Sequence, residues 1–212
     1  MKHFPTTAAT DYAAIRPELR TGDLLLCAGS GWFSQMIQAA TQSVWSHVAV
    51  IFRLEAIDRV MVLESLEPVG VRAVPLSKYV RDYDSCGNPY PGQMCLARHT
   101  GFEALANPAG LARLGHYAVD QLGTPYDNQM IAKIAARITL ASLTNLTATP
   151  AQPPLSLPPS LPLDRDREYI CSEYAWECYQ SLGLDISHDS RGFIAPSDFA
   201  CDPKIECLGV LS

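Results

Sequence analysis

The sequence predicts an α+β fold in which an antiparallel sheet, or a partial barrel, packs against helices and a cysteine opens one of those helices. Three observations predict it. Runs rich in β-branched residues at 46–52 (SHVAVIF) and 60–65 (VMVLES) flank a short polar turn around residues 56–59, the pattern of an antiparallel hairpin. Apolar residues recur at helical spacing over 109–122 and 171–182, and Gly123 and Gly183 follow as stops. Cys171 stands at the start of the second helical segment.

The elements follow in order. After an irregular or helical leader, residues 21–27 (TGDLLLC) read as a turn entering a short buried strand. Residues 34–41 (SQMIQAAT) have helical spacing, with Met36, Ile37 and Ala40 on one side, and lead into the covered strand 46–52 at His47. Pairing that strand with 60–65 brings Glu64 near the His47 end. The alternating stretch 69–74 (VGVRAV) adds a strand, 75–83 a short helix and loop, and 94–98 (MCLAR) a strand that closes the sheet. The helix over 109–122 ends in a turn at 123–127. Residues 128–168 read as an insertion: a basic amphipathic segment, then six prolines between Pro150 and Pro162, then the charge cluster DRDRE. Such a proline tract forms neither a packed helix nor an inner strand, so it predicts an extended surface excursion. The amphipathic part, 130–143, either packs onto the body or makes weak contact with a membrane surface. Residues 185–212 carry Pro and Gly punctuation and end on an edge strand. The whole chain, 1–212, reads as a single domain.

Composition removes several classes of function. The chain has 212 residues, 48% of them apolar and 18% charged, which suits one ordinary globular core. A net charge of −6 and the absence of any long Lys/Arg run argue against a nucleic-acid partner. The apolar stretch 130–143 is too short to cross a bilayer and carries Lys133 and Arg137, so no transmembrane segment is predicted. The N-terminal residues MKHFPTTAATDYAAIRPELR lack the parts of a secretory signal, and the seven cysteines include no C-x-x-C pair suited to zinc or redox work. Reduced thiols, a cytoplasmic location and no cofactor are therefore expected. Six of the cysteines read as inert.

Cys171 differs because of its position. At the first turn of a helix, unpaired backbone N–H groups and the positive end of the helix dipole favour a negatively charged sulfur. The same N–H groups can hold the oxyanion that forms when sulfur attacks a carbonyl. One imidazole would complete the minimum set. His47, at the start of an otherwise apolar strand, can supply it if the fold brings the two together. Glu64 then reads either as the acid that fixes the imidazole or as a strand-end charge in solvent.

The segments GDLLLCAGSGWFSQMIQAATQSVWSHVAVIF, VLESLEPVGVRAVPLS, LGTPYD and YICSEYAWECYQSLGL resemble the circularly permuted papain-fold amidases and peptidases of the YiiX/YaeF type, within the NlpC-like superfamily. In unpermuted members L-G-x-P-Y precedes a D-C-S helix and the histidine strand follows. Here LGTPY and CS keep that order, while SHVAV lies before both. The resemblance covers roughly residues 21–200 apart from the insertion. It implies a permuted papain-like (NlpC-like) fold with Cys171 as nucleophile, His47 as general base and acid, and Glu64 as the orienting residue. Tyr126 would assist the oxyanion or position substrate, or else pack as a turn tyrosine, and Ser172 would share the oxyanion site. Ile170 stands where unpermuted members carry an acid, which leaves the substrate open.

The reaction so implied is hydrolysis of an amide in a peptide or amino-acid conjugate, possible cell-wall fragments included, through a thioester. A lipid acyltransferase or thioesterase using the same Cys–His pair is the alternative. A binding module that kept the fold and lost turnover is a further one.

Overall fold

The structure is a computed structural model, and it describes residues 9–133, 136, 168–188 and 193–211. A short leader, α1 (Tyr12–Ile15) and a 3-10 turn, precedes β1 (Leu24–Ala28), α2 (Trp32–Thr41), β2 (His47–Leu54), β3 (Arg59–Leu66) and β4 (Gly70–Pro75). Then come α3 (Leu76–Arg81), β5 (Gln93–His99), α4 (Pro108–Asp120), α5 (Cys171–Gln180), α6 (Pro196–Cys201) and β6 (Ile205–Leu211). The six strands form one open antiparallel sheet in the order β4-β3-β2-β1-β5-β6.

Successive side chains of a strand face opposite sides, and this sheet is covered on both. Leu24, Leu26, Val48, Val50 and Leu63 share one cluster with Leu114 and Ala118 of α4 and Tyr174, Ala175 and Cys178 of α5. Leu25, Ala49, Ile51 and Val62 share another with Ile15, Leu19, Leu76 and Tyr79. Double cover explains why β1 reads as an unbroken apolar run rather than an alternating one: Leu24, Leu25, Leu26 and Cys27 are all fully buried.

The hairpin of β2 and β3 pairs antiparallel as its sequence requires, Val50 opposite Leu63. One expectation needs correction. β5 does not close the sheet: it lies between β1 and β6, and β6 forms the edge. Its buried run Met94–Ala97 is that of an inner strand. Of the two forms expected, the open antiparallel sheet is the one present, with β4 and the expected terminal edge strand β6 at its edges. Residues 196–201, to which the sequence reading assigned no element, form α6, which starts on Pro196 and is capped where the Asp198 carboxylate accepts from Ala195 N–H at 2.8 Å. Of the 128–168 insertion only 128–133, 136 and 168 are described, the first six of them helical. The proline tract and most of the 130–143 segment lie outside the described residues. No described helix is long and apolar enough to cross a membrane.

One glycine joins the sheet to the LGTPY turn. Gly70 opens β4 with φ +82°, and a Cβ there would lie 2.2 Å from the Thr124 carbonyl oxygen. Next to it the Val71 N–H donates to that same carbonyl at 2.8 Å, and Gly123 N–H donates to Val71 C=O at 2.9 Å. Both the left-handed backbone and the close approach exclude a side chain. Gly70→Ala is therefore expected to destabilise the fold by roughly 1–3 kcal/mol. A lower midpoint in urea with an unchanged m-value would show it; an unchanged midpoint would contradict this docking.

Candidate active site

The site is assembled where the start of β2, the end of β3 and the first turn of α5 meet. His47 opens β2 opposite Cys27 of β1. The chain is fixed immediately before it: Ser46 N–H donates to Cys27 C=O at 2.9 Å, and Ser46 Oγ accepts from Gly29 N–H at 3.0 Å. Ser65, beside Glu64, donates from Oγ to the Tyr169 carbonyl at 2.6 Å. That bond ties β3 to the residue two places before the cysteine. The LGTPY turn joins the same carbonyl, for Asp127 N–H donates to Tyr169 C=O at 3.3 Å while Tyr169 N–H donates to Pro125 C=O at 3.1 Å. Tyr126 and Tyr169 thus form a short parallel bridge beside Cys171.

α5 begins at Cys171 and is bolted down by two buried tyrosines. Tyr174 donates to Ala118 C=O of α4 at 2.9 Å, and Tyr179 to Gly22 C=O ahead of β1 at 2.8 Å. Each bond satisfies a hydroxyl that burial would otherwise penalise. The N–H groups of Cys171 and Ser172 lie in the first turn, where a helix has no intrahelical acceptor to offer them. The Ser172 hydroxyl is engaged elsewhere: it donates to Ile194 C=O at 2.7 Å. Only the backbone of Ser172 is left to serve an oxyanion.

The Cys171 side chain lies beside the His47 imidazole and interacts with it directly. The other side of the imidazole faces Glu64, His47 Nε2 lying 2.6 Å from Oε2. That leaves Nδ1 for the sulfur. Burial works against a charged imidazole, but Cys171 and Glu64 outweigh it and raise His47 from 6.5 to about 10. The protonated, imidazolium form of His47 is therefore favoured in this site.

Glu64 is fully buried, and its ionised form persists because three groups hold it. Arg72, its direct partner across the β3–β4 ladder, donates from Nε to Oε1 at 2.9 Å, and Tyr79 of α3 donates to Oε2. Burial alone would raise the carboxyl, yet His47, Tyr79 and Arg72 together bring it below its ordinary value. Tyr79 is itself backed by rings, with centroids 5.0 Å from Tyr83 and 5.6 Å from Tyr90. Arg72 and Tyr79 were not among the residues singled out from sequence. The signal was present in the hairpin LESLEPVGVR, which puts an arginine opposite the only acid that β3 buries.

Tyr126 is buried beside Cys171, with Phe33 of α2 edge-on to its ring at 6.3 Å. Burial and the nearby sulfur push its hydroxyl pKa up, so it stays a neutral donor. Tyr126→Phe is expected to lower kcat by about 10- to 100-fold, at or below the loss of one ordinary oxyanion donor, with KM little changed. An unchanged kcat would leave this tyrosine to packing alone. Glu173, also unforeseen, accepts from Ile170 N–H at 3.4 Å, and burial raises its carboxyl to about 7.

A small cavity of about 20 Å³ opens beside the sulfur. Cys171 and Tyr126 line it together with apolar side chains from α2, residue 131 and the stretch 193–196; His47 and Glu64 do not. All seven cysteines are free of disulfides, and no group of three or more His, Cys, Asp or Glu among the described residues is placed to hold a metal ion.

A histidine strand and its carboxylate that precede the cysteine helix in the chain, yet meet it in space, define a papain-like fold whose sequence has been circularly permuted. The chain belongs to the YaeF/YiiX family of permuted papain-like amidases (C92), whose model matches residues 18–134. That span holds His47, Glu64 and Tyr126; Cys171 lies beyond it. A solved structure described as the metalloprotein yiiX from Escherichia coli O157:H7 is similar over 90% of this chain and 96% of its own, at 18% identity and a TM-score of 0.58. The fold of that protein therefore extends across α5 as well. No curated protein sequence matches the chain. Membership makes this a cysteine hydrolase of amidase type at the level of the family.

Proposed function

We propose that the chain hydrolyses an amide bond in a peptide or amino-acid conjugate, with Cys171 as nucleophile, His47 as general base and acid, and Glu64 as the residue that orients the imidazole. The observation that carries the proposal is the relay from buried Glu64 through His47 to a sulfur in the first turn of α5. The thiolate adds to the carbonyl carbon, and first-turn N–H groups receive the charge on oxygen. As the C–N bond breaks, His47 protonates the departing amine and the acyl group stays on sulfur as a thioester. Water then gives a proton to His47, attacks the thioester and releases the acid and the thiolate. Reduced cysteines throughout the chain support a reducing, cytoplasm-like setting for this chemistry.

The test is a panel of N-acyl amino-acid amides and phospholipid esters assayed in parallel. Release of free amine from amides is the expected result. Release of fatty acid from the esters, with the amides untouched, would move the protein to lipid acyl chemistry. Turnover of neither, alongside unhindered alkylation of Cys171 by iodoacetamide, would leave a binding module.

A further inference from the structure

Acidic residues outnumber basic ones in this chain, 22 to 16, yet one groove gathers cations. It has a volume of about 480 Å³ and is lined by three arginines against one aspartate. Tyr12 and Arg16 reach it from α1 and the 3-10 turn that follows, Asp58 and Arg59 from the turn into β3, and Ser77 and Arg81 from α3. The aspartate is already engaged, since Oδ2 lies 2.7 Å from Arg16 and Oδ1 3.0 Å from Arg53. Arg59 donates to the Asp58 carbonyl at 3.1 Å, an oxygen that Arg16 also reaches at 2.6 Å. Among the described residues neither Arg59 nor Arg81 has a carboxylate within ion-pair distance, and both are exposed. Like charges gathered in this way repel one another until an anion joins them. The groove is separate from the Cys171 site: Tyr79, between Ser77 and Arg81 on α3, donates to Glu64 and is not among the lining residues.

We propose that this groove binds a phosphomonoester, whose dianion is held by the guanidinium groups of Arg59 and Arg81, with Arg16 adding to the positive field. Guanidinium forks match phosphate oxygens two at a time, and a dianion answers two unpaired cations better than a single carboxylate does. Ser77 offers a hydroxyl on the same wall as Arg81. The volume falls within the range of about 300–1,000 Å³ usual for small-molecule sites, so the group that carries the phosphate has room beside it. The half-buried ring of Tyr12 gives that group a surface to pack on. A soluble metabolite and a lipid headgroup present the same phosphate chemistry, and binding of either is independent of amide hydrolysis at Cys171.

Titration calorimetry with phenyl phosphate and with benzoate, at about pH 8 where the phosphomonoester is a dianion, tests the site on the unaltered protein. Phenyl phosphate is expected to bind with one-to-one stoichiometry and at least about 10-fold more tightly than benzoate. Arg59→Gln and Arg81→Gln should each weaken it by about 10- to 100-fold, the range for one charge-assisted hydrogen-bonding partner. Both side chains are exposed, so the unfolding midpoints should stay in place. Lys204→Gln removes an exposed cation outside the groove and should leave the affinity unchanged. A second arm uses phosphatidylcholine vesicles with and without phosphatidic acid. Sedimentation with the phosphatidic acid vesicles alone, lost in the Arg59→Gln/Arg81→Gln double variant while phenyl phosphate fails to bind, would uphold the groove and assign it to a lipid headgroup. Binding in neither arm, equal affinity for benzoate and phenyl phosphate, or an equal loss on Lys204→Gln would overturn the site and leave only diffuse attraction between the protein and anions.

Discussion

Cys171→Ala is expected to lower kcat on any substrate by at least about 10⁴-fold while leaving the fold intact, because the attacking atom is removed and nothing nearby can replace it. The substitution removes one sulfur from a side chain that is 4% exposed, at the edge of the core rather than its centre. Stability should change by about 1 kcal/mol. Cys171→Ser is expected to be equally inactive, since His47 is held as an imidazolium and is a poor acceptor for a hydroxyl proton. A second readout separates loss of chemistry from loss of structure. Cys171 is one of the two groups that raise His47 to about 10, so the imidazole of the alanine variant should titrate lower, as seen by NMR of the ring protons. Full turnover by Cys171→Ala would end the case for this nucleophile. An unshifted His47 would mean that the sulfur and ring do not interact.

How much of this arrangement was legible in the sequence depends on the range of the interaction concerned. The helix starting at Cys171, the strand opening at His47 and the acid closing the neighbouring strand follow from local periodicity and from a hairpin of short connection. Their meeting in space does not. It needs the crossing of α5 over β2 and β3, fixed by Tyr174, Tyr179 and the Ser65–Tyr169 bond, and the order of motifs suggested it only through the family. Arg72 and Tyr79 escaped notice for a different reason. Each lies in a segment correctly read as strand or helix, but a buried carboxylate has to be foreseen before its partners are sought. The alternative, Glu64 as a solvent-exposed strand end, is removed by its complete burial. The six-residue helix α6 is too short for periodicity to register, and the inner position of β5 depends on the return of residues 205–211 to its far side.

The burial of Glu64 makes its removal the second large effect, and the size of that effect depends on what replaces it. Glu64→Ala would leave Arg72 and the Tyr79 hydroxyl without their shared acceptor and His47 without its anion, at a cost of about 3–5 kcal/mol. For a chain of this length that corresponds to a fall in Tm of roughly 10 °C. Glu64→Gln keeps an acceptor and the shape but discards the charge, so it should retain most of the stability and still lose about 10²-fold or more in kcat, as the imidazolium is no longer favoured. The pH dependence distinguishes the two roles. His47 is raised from 6.5 to about 10, so its contribution to stability is fully present below about pH 6.5 and is lost as pH climbs through about 10. Glu64 is lowered from 4.5, so its contribution is present above about pH 4.5 and is lost as pH falls through its depressed folded value. Both contributions are complete together between about pH 4.5 and 6.5, and unfolding measured across pH should show that plateau. In Glu64→Gln the alkaline limb of kcat/KM should move to lower pH, because one of the two groups that raise His47 has lost its charge. An alkaline limb that stays in place would assign Glu64 to holding the strands together and not to tuning the imidazole.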